Sequence, residues 1–244
     1  MKLFIRKYSG VIVFLFVFIL GAIISPVFIK VDNVMDFVQA TAETGLVAAG
    51  MTMVIISGGS GVDLSVGSNI ALGGMIAALS QVYWGFPPLL SILASIIVSG
   101  AIGAMNGLLI TRGKLQPFVA TLVTMIGARA LALISNGGMP VSWGMPEPFG
   151  ALARLQLGPI FLPAIIWIVA MVAVEFVLVK TRYGRDLVAS GGNEEAARYS
   201  GIKVDRTRFI AYLVCGLLAG LAGAIMTSRL MIGEPRAGAG YELL

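Results

Sequence analysis

The chain has 244 residues, of which 58% are hydrophobic and only 12% charged, about half the charged share of an ordinary soluble domain. So little polar surface cannot cover a water-soluble globule, so lipid must solvate most of the chain, and an all-α polytopic transmembrane bundle is the expected fold. The net charge of +5 lies in short gaps between apolar runs, a membrane-topology pattern rather than a nucleic-acid face.

Lys2, Arg6 and Lys7 precede an apolar run that begins at Val11 and continues to Ile29. No small-residue cleavage site follows, so the run reads as a first membrane helix rather than a removed signal. With 10–29 as the first, about seven spans are expected, the others near 41–57, 64–83, 89–110, 117–136, 160–180 and 207–228. The intervening segments 1–9, 58–63, 111–116 and 181–206 carry most of the Lys and Arg residues. Lys30, Arg154, Arg229 and Arg236 fall in the alternate gaps, and Arg129 lies within a span. This bias predicts a cytoplasmic amino terminus. The whole of 1–244 then forms one membrane domain, with 181–206 as a cytoplasmic loop inside it.

Three segments carry more than hydrophobicity. In Gly58-Gly59-Ser60-Gly61-Val62-Asp63-Leu64-Ser65, the glycines allow a sharp turn, and Asp63 can accept from the amide of Ser65 or Val66 at the next helix start. This is either a tight turn with a cap or a broken-helix element beside a translocation path, to which Gly59, Asp63 and Ser65 would then belong. In the second segment, Pro117 suits a helix start. Thr121 and Thr124 lie within one turn of each other and can bond carbonyls or a partner helix. Arg129 costs about 2.5–3.5 kcal/mol in a span unless it meets a partner or water. It is therefore an anchor or, with the two threonines, a lining residue.

The third segment is the most specific. Gly191-Gly192-Asn193 leads into Glu194-Glu195-Ala196-Ala197-Arg198-Tyr199-Ser200-Gly201. Asn193 is a good N-cap, two glutamates suit the positive end of the helix dipole, and Gly201 suits the position just past the helix end. A two-turn helix outside the lipid is predicted. So short a helix is unstable alone, so its own loop or a partner protein must hold it. Gly103 to Gly107 and Gly216 to Gly220 give small-xxx-small spacings that suit close helix packing, and no site is assigned to them.

Asp63-Leu64-Ser65-Val66-Gly67-Ser68, Pro117-Phe118-Val119-Ala120-Thr121-Leu122 through Arg129, and Gly191-Gly192-Asn193-Glu194-Glu195-Ala196-Ala197 through Gly201 together resemble the sugar-permease branch of the binding-protein-dependent ABC importers, the ribose, galactose and xylose type. The resemblance covers most of 35–242. It implies a permease of the bacterial cytoplasmic membrane that translocates a monosaccharide. The implied partners are separate ATP-binding cassette subunits, an extracytoplasmic sugar-binding protein, and a second permease copy or paralogue. It also implies that Gly191, Asn193, Glu194, Glu195, Ala196, Ala197 and Gly201 form the loop that docks on the ATPase. Two departures stand out: Ser60-Gly61 reads as an insertion, and family members continue beyond a segment like Gly238 to Leu243, so the chain resembles an incomplete permease. A branched-chain amino acid permease and an inactive remnant are the alternatives.

Enzymatic readings fail on residue inventory. There is no histidine to form a triad or most zinc sites, no Gly-x-x-x-x-Gly-Lys-Ser/Thr loop for nucleotide, and a single cysteine, Cys215. No catalytic residue, metal or cofactor is assigned. An ion-coupled carrier is disfavoured because Glu43 and Glu175 are placed near span ends.

Overall fold

The computed structural model describes residues 2–243. Side chains are described from Tyr8 to Glu242, so Lys2, Arg6 and Lys7 lie outside the described side chains.

Seven apolar helices fall on the seven expected segments: α1 Lys2–Ile24, α2 Val31–Ile56, α3 Val66–Val82, α4 Pro88–Thr111, α5 Pro117–Ile134, α7 Leu162–Lys180 and α10 Val204–Leu230, but α1 stops at Ile24 and not at the expected Ile29, because Pro26 follows and 26–29 form a turn. Of these, α2, α4, α5, α7 and α10 are long and apolar enough to cross a membrane, while Tyr8–Ile24 and Val66–Val82 are shorter. Non-helical angles at Tyr8 kink α1. Helix α2 starts ten residues before the expected span, because the exposed Asp32 and Asp36 lower the apolar count without breaking the helix.

Proline is tolerated in a first turn, where its missing N–H has no helical partner, and α4, α5 and α7 each begin that way. Three elements went unread in the sequence. Helix α6 (Glu147–Arg154) and a short hairpin of β1 (Gln156–Leu157) and β2 (Ile160–Phe161) fold the α5–α7 connection. Helix α8 (Arg182–Gly192) occupies what reads as loop, and is capped by the Thr181 hydroxyl accepting from the Gly184 amide at 3.1 Å. Its three glycines mask it, since each is a poor helix former. Helix α9 (Glu194–Tyr199) is the expected two-turn helix.

Helix α10 is the axis of the bundle, packed most extensively on α4, then on α3 and α2. The two small-residue motifs meet each other there. A methyl on Gly216 would lie 2.6 Å from the Ser99 carbonyl oxygen, and one on Gly220 would lie 2.7 Å from that of Ser95. Backbone touches backbone along this seam, and the Ser95 hydroxyl donates across it to the Gly220 carbonyl at 2.8 Å. Helix α3 is buried on nearly every side, whereas α7 buries only Pro163 and Ala164. The main core joins Leu46, Val54, Val66, Ile70, Tyr212 and Ile225.

A half-buried ion pair between α2 and α10 belongs to this architecture. Arg229 was placed in an outer gap and Glu43 near a span end, but both lie inside helices and meet. Arg229 Nε and Nη2 donate to the two Glu43 carboxylate oxygens at 2.9 and 3.1 Å.

Candidate functional site

Between α2 and α3 the chain leaves helical geometry. Gly58, Gly59 and Ser60 are all left-handed, with φ of 76°, 64° and 59°. Two glycines adopt this freely, but Ser60 does so at a cost. The apparent insertion is thus absorbed as a tight left-handed turn. Beyond it, Asp63 is fully buried. Its Oδ1 accepts from the Ser65 amide at 2.9 Å and the Ser65 hydroxyl at 2.6 Å. The expected amide bond forms, but it closes a turn ahead of the helix, because Ser65 itself occupies the N-cap position.

Asn106, which sequence reasoning passed over, ties this turn to two other helices. Its amide nitrogen donates to Ser65 Oγ at 2.9 Å and Asp63 Oδ1 at 3.3 Å, and its oxygen accepts from Thr124 Oγ1 at 2.5 Å. Asp63, Ser65, Asn106 and Thr124 form one buried polar network that joins the turn ahead of α3 to α4 and α5. Thr121 is also buried, but its hydroxyl donates to the Pro117 carbonyl of its own helix at 2.8 Å. Asp63 Oδ2 meets no nitrogen or oxygen donor among the described residues, and the buried Cys215 thiol of α10 lies against this carboxylate. An asparagine amid small apolar residues signals such a network only once its neighbours are known.

The α9 helix is capped at both ends. Asn193 Oδ1 accepts from the Ala196 amide at 2.9 Å. At the other end the Gly201 amide donates to Arg198 O and the Ile202 amide to Ala197 O, both at 3.0 Å, with Gly201 left-handed at φ 81°. This paired closure is the Schellman motif, and it satisfies carbonyls that would otherwise be orphaned. Ala197 is buried, Glu195 and Ala196 face outward, and Tyr199 is 87% exposed.

Charges fasten α9 to the bundle. Arg198 Nη2 bonds Glu194 Oε1 at 3.0 Å and Asp205 Oδ1 at 2.7 Å, and Lys114 approaches Asp205 at 3.4 Å. Arg208 Nη2 lies 2.7 Å from Glu194 Oε2 as an ion-pair contact without aligned hydrogen-bond geometry. Burial pushes the Glu194 carboxyl up, but the adjoining Arg208 and Arg198 together hold it below its ordinary range. Arg208 Nε also donates to the Ser57 carbonyl at 3.2 Å. A methyl on Gly191 would lie 1.9 Å from the Ile56 carbonyl oxygen, so α8 rests directly on the end of α2. Gly59 sits in the same place: a methyl there would meet Arg208 Nη2 at 2.8 Å. Of the residues expected beside a translocation path, Gly59 therefore joins the α8–α9 elbow rather than the Asp63 network.

Arg129 stands apart from both. Its Nη1 donates to Pro235 O at 3.0 Å and Ala237 O at 2.8 Å. After α10 ends at left-handed Met231, the chain bridges Val141 through Gly233 and then runs back along α3, closing on a 3-10 turn at Tyr241–Leu243. Gly238 lies so close to Gly67 that a methyl on either would strike the other's carbonyl oxygen. Arg129 thus anchors a returning segment whose free carbonyls answer its guanidinium. It also borders an open groove of about 570 Å3, together with Ser68, Met125, Arg236 and Glu242.

A multi-pass helical membrane protein with a capped, charge-tethered helical elbow at a loop end is the class these features define. The chain belongs to the family described as the branched-chain amino acid transport system / permease component, which matches residues 33–244. It is 38% identical to the ribose import permease protein RbsC of Escherichia coli (strain K12) over 245 residues, covering 99% of this chain and 75% of that protein. The ribose import permease protein RbsC of Bacillus subtilis (strain 168) is 43% identical over 226 residues, 92% of this chain and 69% of that one. The L-arabinose transport system permease protein AraH of Escherichia coli (strain K12) is 36% identical over 244 residues, 98% of this chain and 71% of its own length. No solved structure matches the chain.

Proposed function

We propose that this chain is the membrane-spanning permease of an ABC importer that carries a monosaccharide across the bacterial cytoplasmic membrane. ATP hydrolysis belongs to separate ATP-binding cassette subunits. An extracytoplasmic sugar-binding protein delivers substrate, and a second permease copy or paralogue completes the pathway. The sugar class is carried over from the ribose and arabinose permeases to which the chain is similar.

The observation that carries the reading is the α9 helix with its exposed Glu195, Ala196 and Tyr199. It is fixed at both caps and tethered by Arg208 to the carbonyl that ends α2. In this reading the amino terminus and α9 face the cytoplasm, and α9 docks on the ATPase. Closure of the ATPase pair then displaces α9, and the Gly191 and Arg208 contacts pass that displacement to the break at Gly58–Gly59. Asp63, Ser65 and Thr124 hold the far side of the break and bias it between two positions. Arg129 sets the wall of the adjoining groove.

The test is copurification with the ATPase and uptake of labelled sugar. Glu195→Ala and Gly201→Ala should lower ATPase recovery while membrane insertion is unchanged. Intact recovery in both variants refutes docking through α9. Uptake of labelled leucine but not of ribose or arabinose refutes the monosaccharide assignment.

A further inference from the structure

Beside the α9 elbow, a cavity of about 710 Å3 opens between the start of α8, the α9–α10 link and the first turns of α10. Arg182, Lys203 and Arg206 stand exposed on its lining, opposed by one carboxylate, Asp186. These three cations form no ion pair among the described residues. On the other flank of α9, by contrast, Arg198 and Arg208 are tied to Glu194 and Asp205. The lining thus sets three cations against one carboxylate, whereas the arginines on that other flank are paired.

Chain connectivity gives the cavity its depth. Arg182 follows Lys180, the last residue of α7, by two positions, and Arg206 lies in the first turn of α10. Both helices are long and apolar enough to cross the membrane, so the cations sit at its edge. One turn further into α10 comes Ile210, beside Tyr183, whose hydroxyl donates to the Thr207 carbonyl at 3.0 Å. Cations at the rim and an aromatic and an aliphatic side chain toward the hydrocarbon match the order of phosphate and acyl chain in a lipid.

We propose that this cavity binds the headgroup of an anionic phospholipid of the inner leaflet through Arg182, Lys203 and Arg206. The leaflet assignment rests on the orientation proposed above. Such a lipid would bridge α8 to α10 and hold closed the elbow from which α9 projects. An acidic protein surface could meet the same cations, but would have no use for a wall that leads down one turn into a membrane helix.

Native mass spectrometry of the full chain, with phosphatidylglycerol and phosphatidylethanolamine supplied in detergent, tests the assignment. Phosphatidylglycerol should be retained in preference to phosphatidylethanolamine. The variant R182Q/K203Q/R206Q should lose about tenfold or more of that retention. The conservative R182K/R206K should keep most of it, which separates charge recognition from misfolding, and Arg154→Gln, on a different loop, should match the parent. Equal retention of the two lipids, or unchanged retention in the triple variant, overturns the proposal. So does displacement of the lipid by inorganic phosphate at equal concentration, which would make the site one for free phosphate. Shielding of Arg206 by the ATPase with exclusion of phosphatidylglycerol would assign the surface to protein instead. A cytoplasm-restricted reporter inserted after Asn193 reads orientation separately. Signal there without lipid selectivity refutes the lipid site alone, whereas silence refutes the inner-leaflet assignment and the orientation together.

Discussion

Replacing Glu43 with glutamine removes the negative half of a pair that is enclosed on one side and half-open on the other. Glu43 is 1% exposed and Arg229 30%. Breaking a buried pair by removing one partner costs about 3–5 kcal/mol, because the surviving charge is left uncompensated. Arg229 is partly exposed in the last turn of α10, where a long cationic side chain can snorkel, so Glu43→Gln should fall near the lower end, at about 3 kcal/mol. The converse change, Arg229→Met, strands a carboxylate with almost no exposure, and should cost about 4–5 kcal/mol. The double variant carries neither charge, and should lie within about 1.5 kcal/mol of the parent. The cycle then yields a coupling energy of several kcal/mol. Unfolding by SDS titration in mixed micelles, followed by tryptophan fluorescence, measures it. Trp167 packs against α2 at Gly45, two residues from Glu43, and is a local reporter. Single effects that add to the double within about 0.5 kcal/mol would refute the claim that this pair joins α2 to α10.

Gly191→Ala places a methyl 1.9 Å from a backbone oxygen that cannot rotate away. It should cost about 1–3 kcal/mol and accelerate hydrogen exchange at the end of α2, whereas Gly192→Ala, with open space around it, should do neither. Asn106→Leu should destabilise the bundle by about 1–3 kcal/mol, since it cuts the bonds that join α4 to the turn and to α5, although Asp63 and Ser65 keep each other and Thr124 keeps the Thr121 carbonyl. Thr121→Val should cost less, because its hydroxyl bonds only its own helix. Glu194 is held below its ordinary pKa in the folded protein. Its contribution to α9 is therefore complete above the carboxylate range and fades as pH falls through the lowered folded value. After correction for the intrinsic exchange rate, which itself falls on acidification, protection of the amides in 194–199 should drop as pH falls in the parent, and that drop should shrink in Glu194→Gln. An unchanged profile in the variant would assign the acid sensitivity to other groups.

Much of the fold can be read without coordinates because lipid leaves the backbone one choice. An apolar run of spanning length must be helical, and Pro117 marks a start as expected, as Pro88 and Pro163 also turn out to do. The α9 caps were legible for a similar reason: Asn193 and Gly201 act through bonds within a few residues of themselves. What failed depended on distance in sequence. The Glu43–Arg229 pair spans 186 positions, and the Asn106–Asp63 contact spans 43. Neither partner's local setting reveals the other. Arg129 left two roles open because its partners are main-chain carbonyls of Pro235 and Ala237, which no residue type advertises. Helix α8 was hidden by glycines whose purpose is tertiary: Gly184 and Gly191 leave room for the backbone of α7 and α2.

The seam between α4 and α10 has a mechanical consequence. Where bulky side chains mesh, two rods can creep past one another by exchanging rotamers. Here Gly103 and Gly216 bring main chain against main chain, and the next rung holds the same spacing through Ser99 and Gly220. Such a joint has no soft layer to shear. A shove delivered at Val204, where α10 leaves the elbow, would therefore be shared by α4 as part of a single beam, to which Asn106 ties the Asp63 turn.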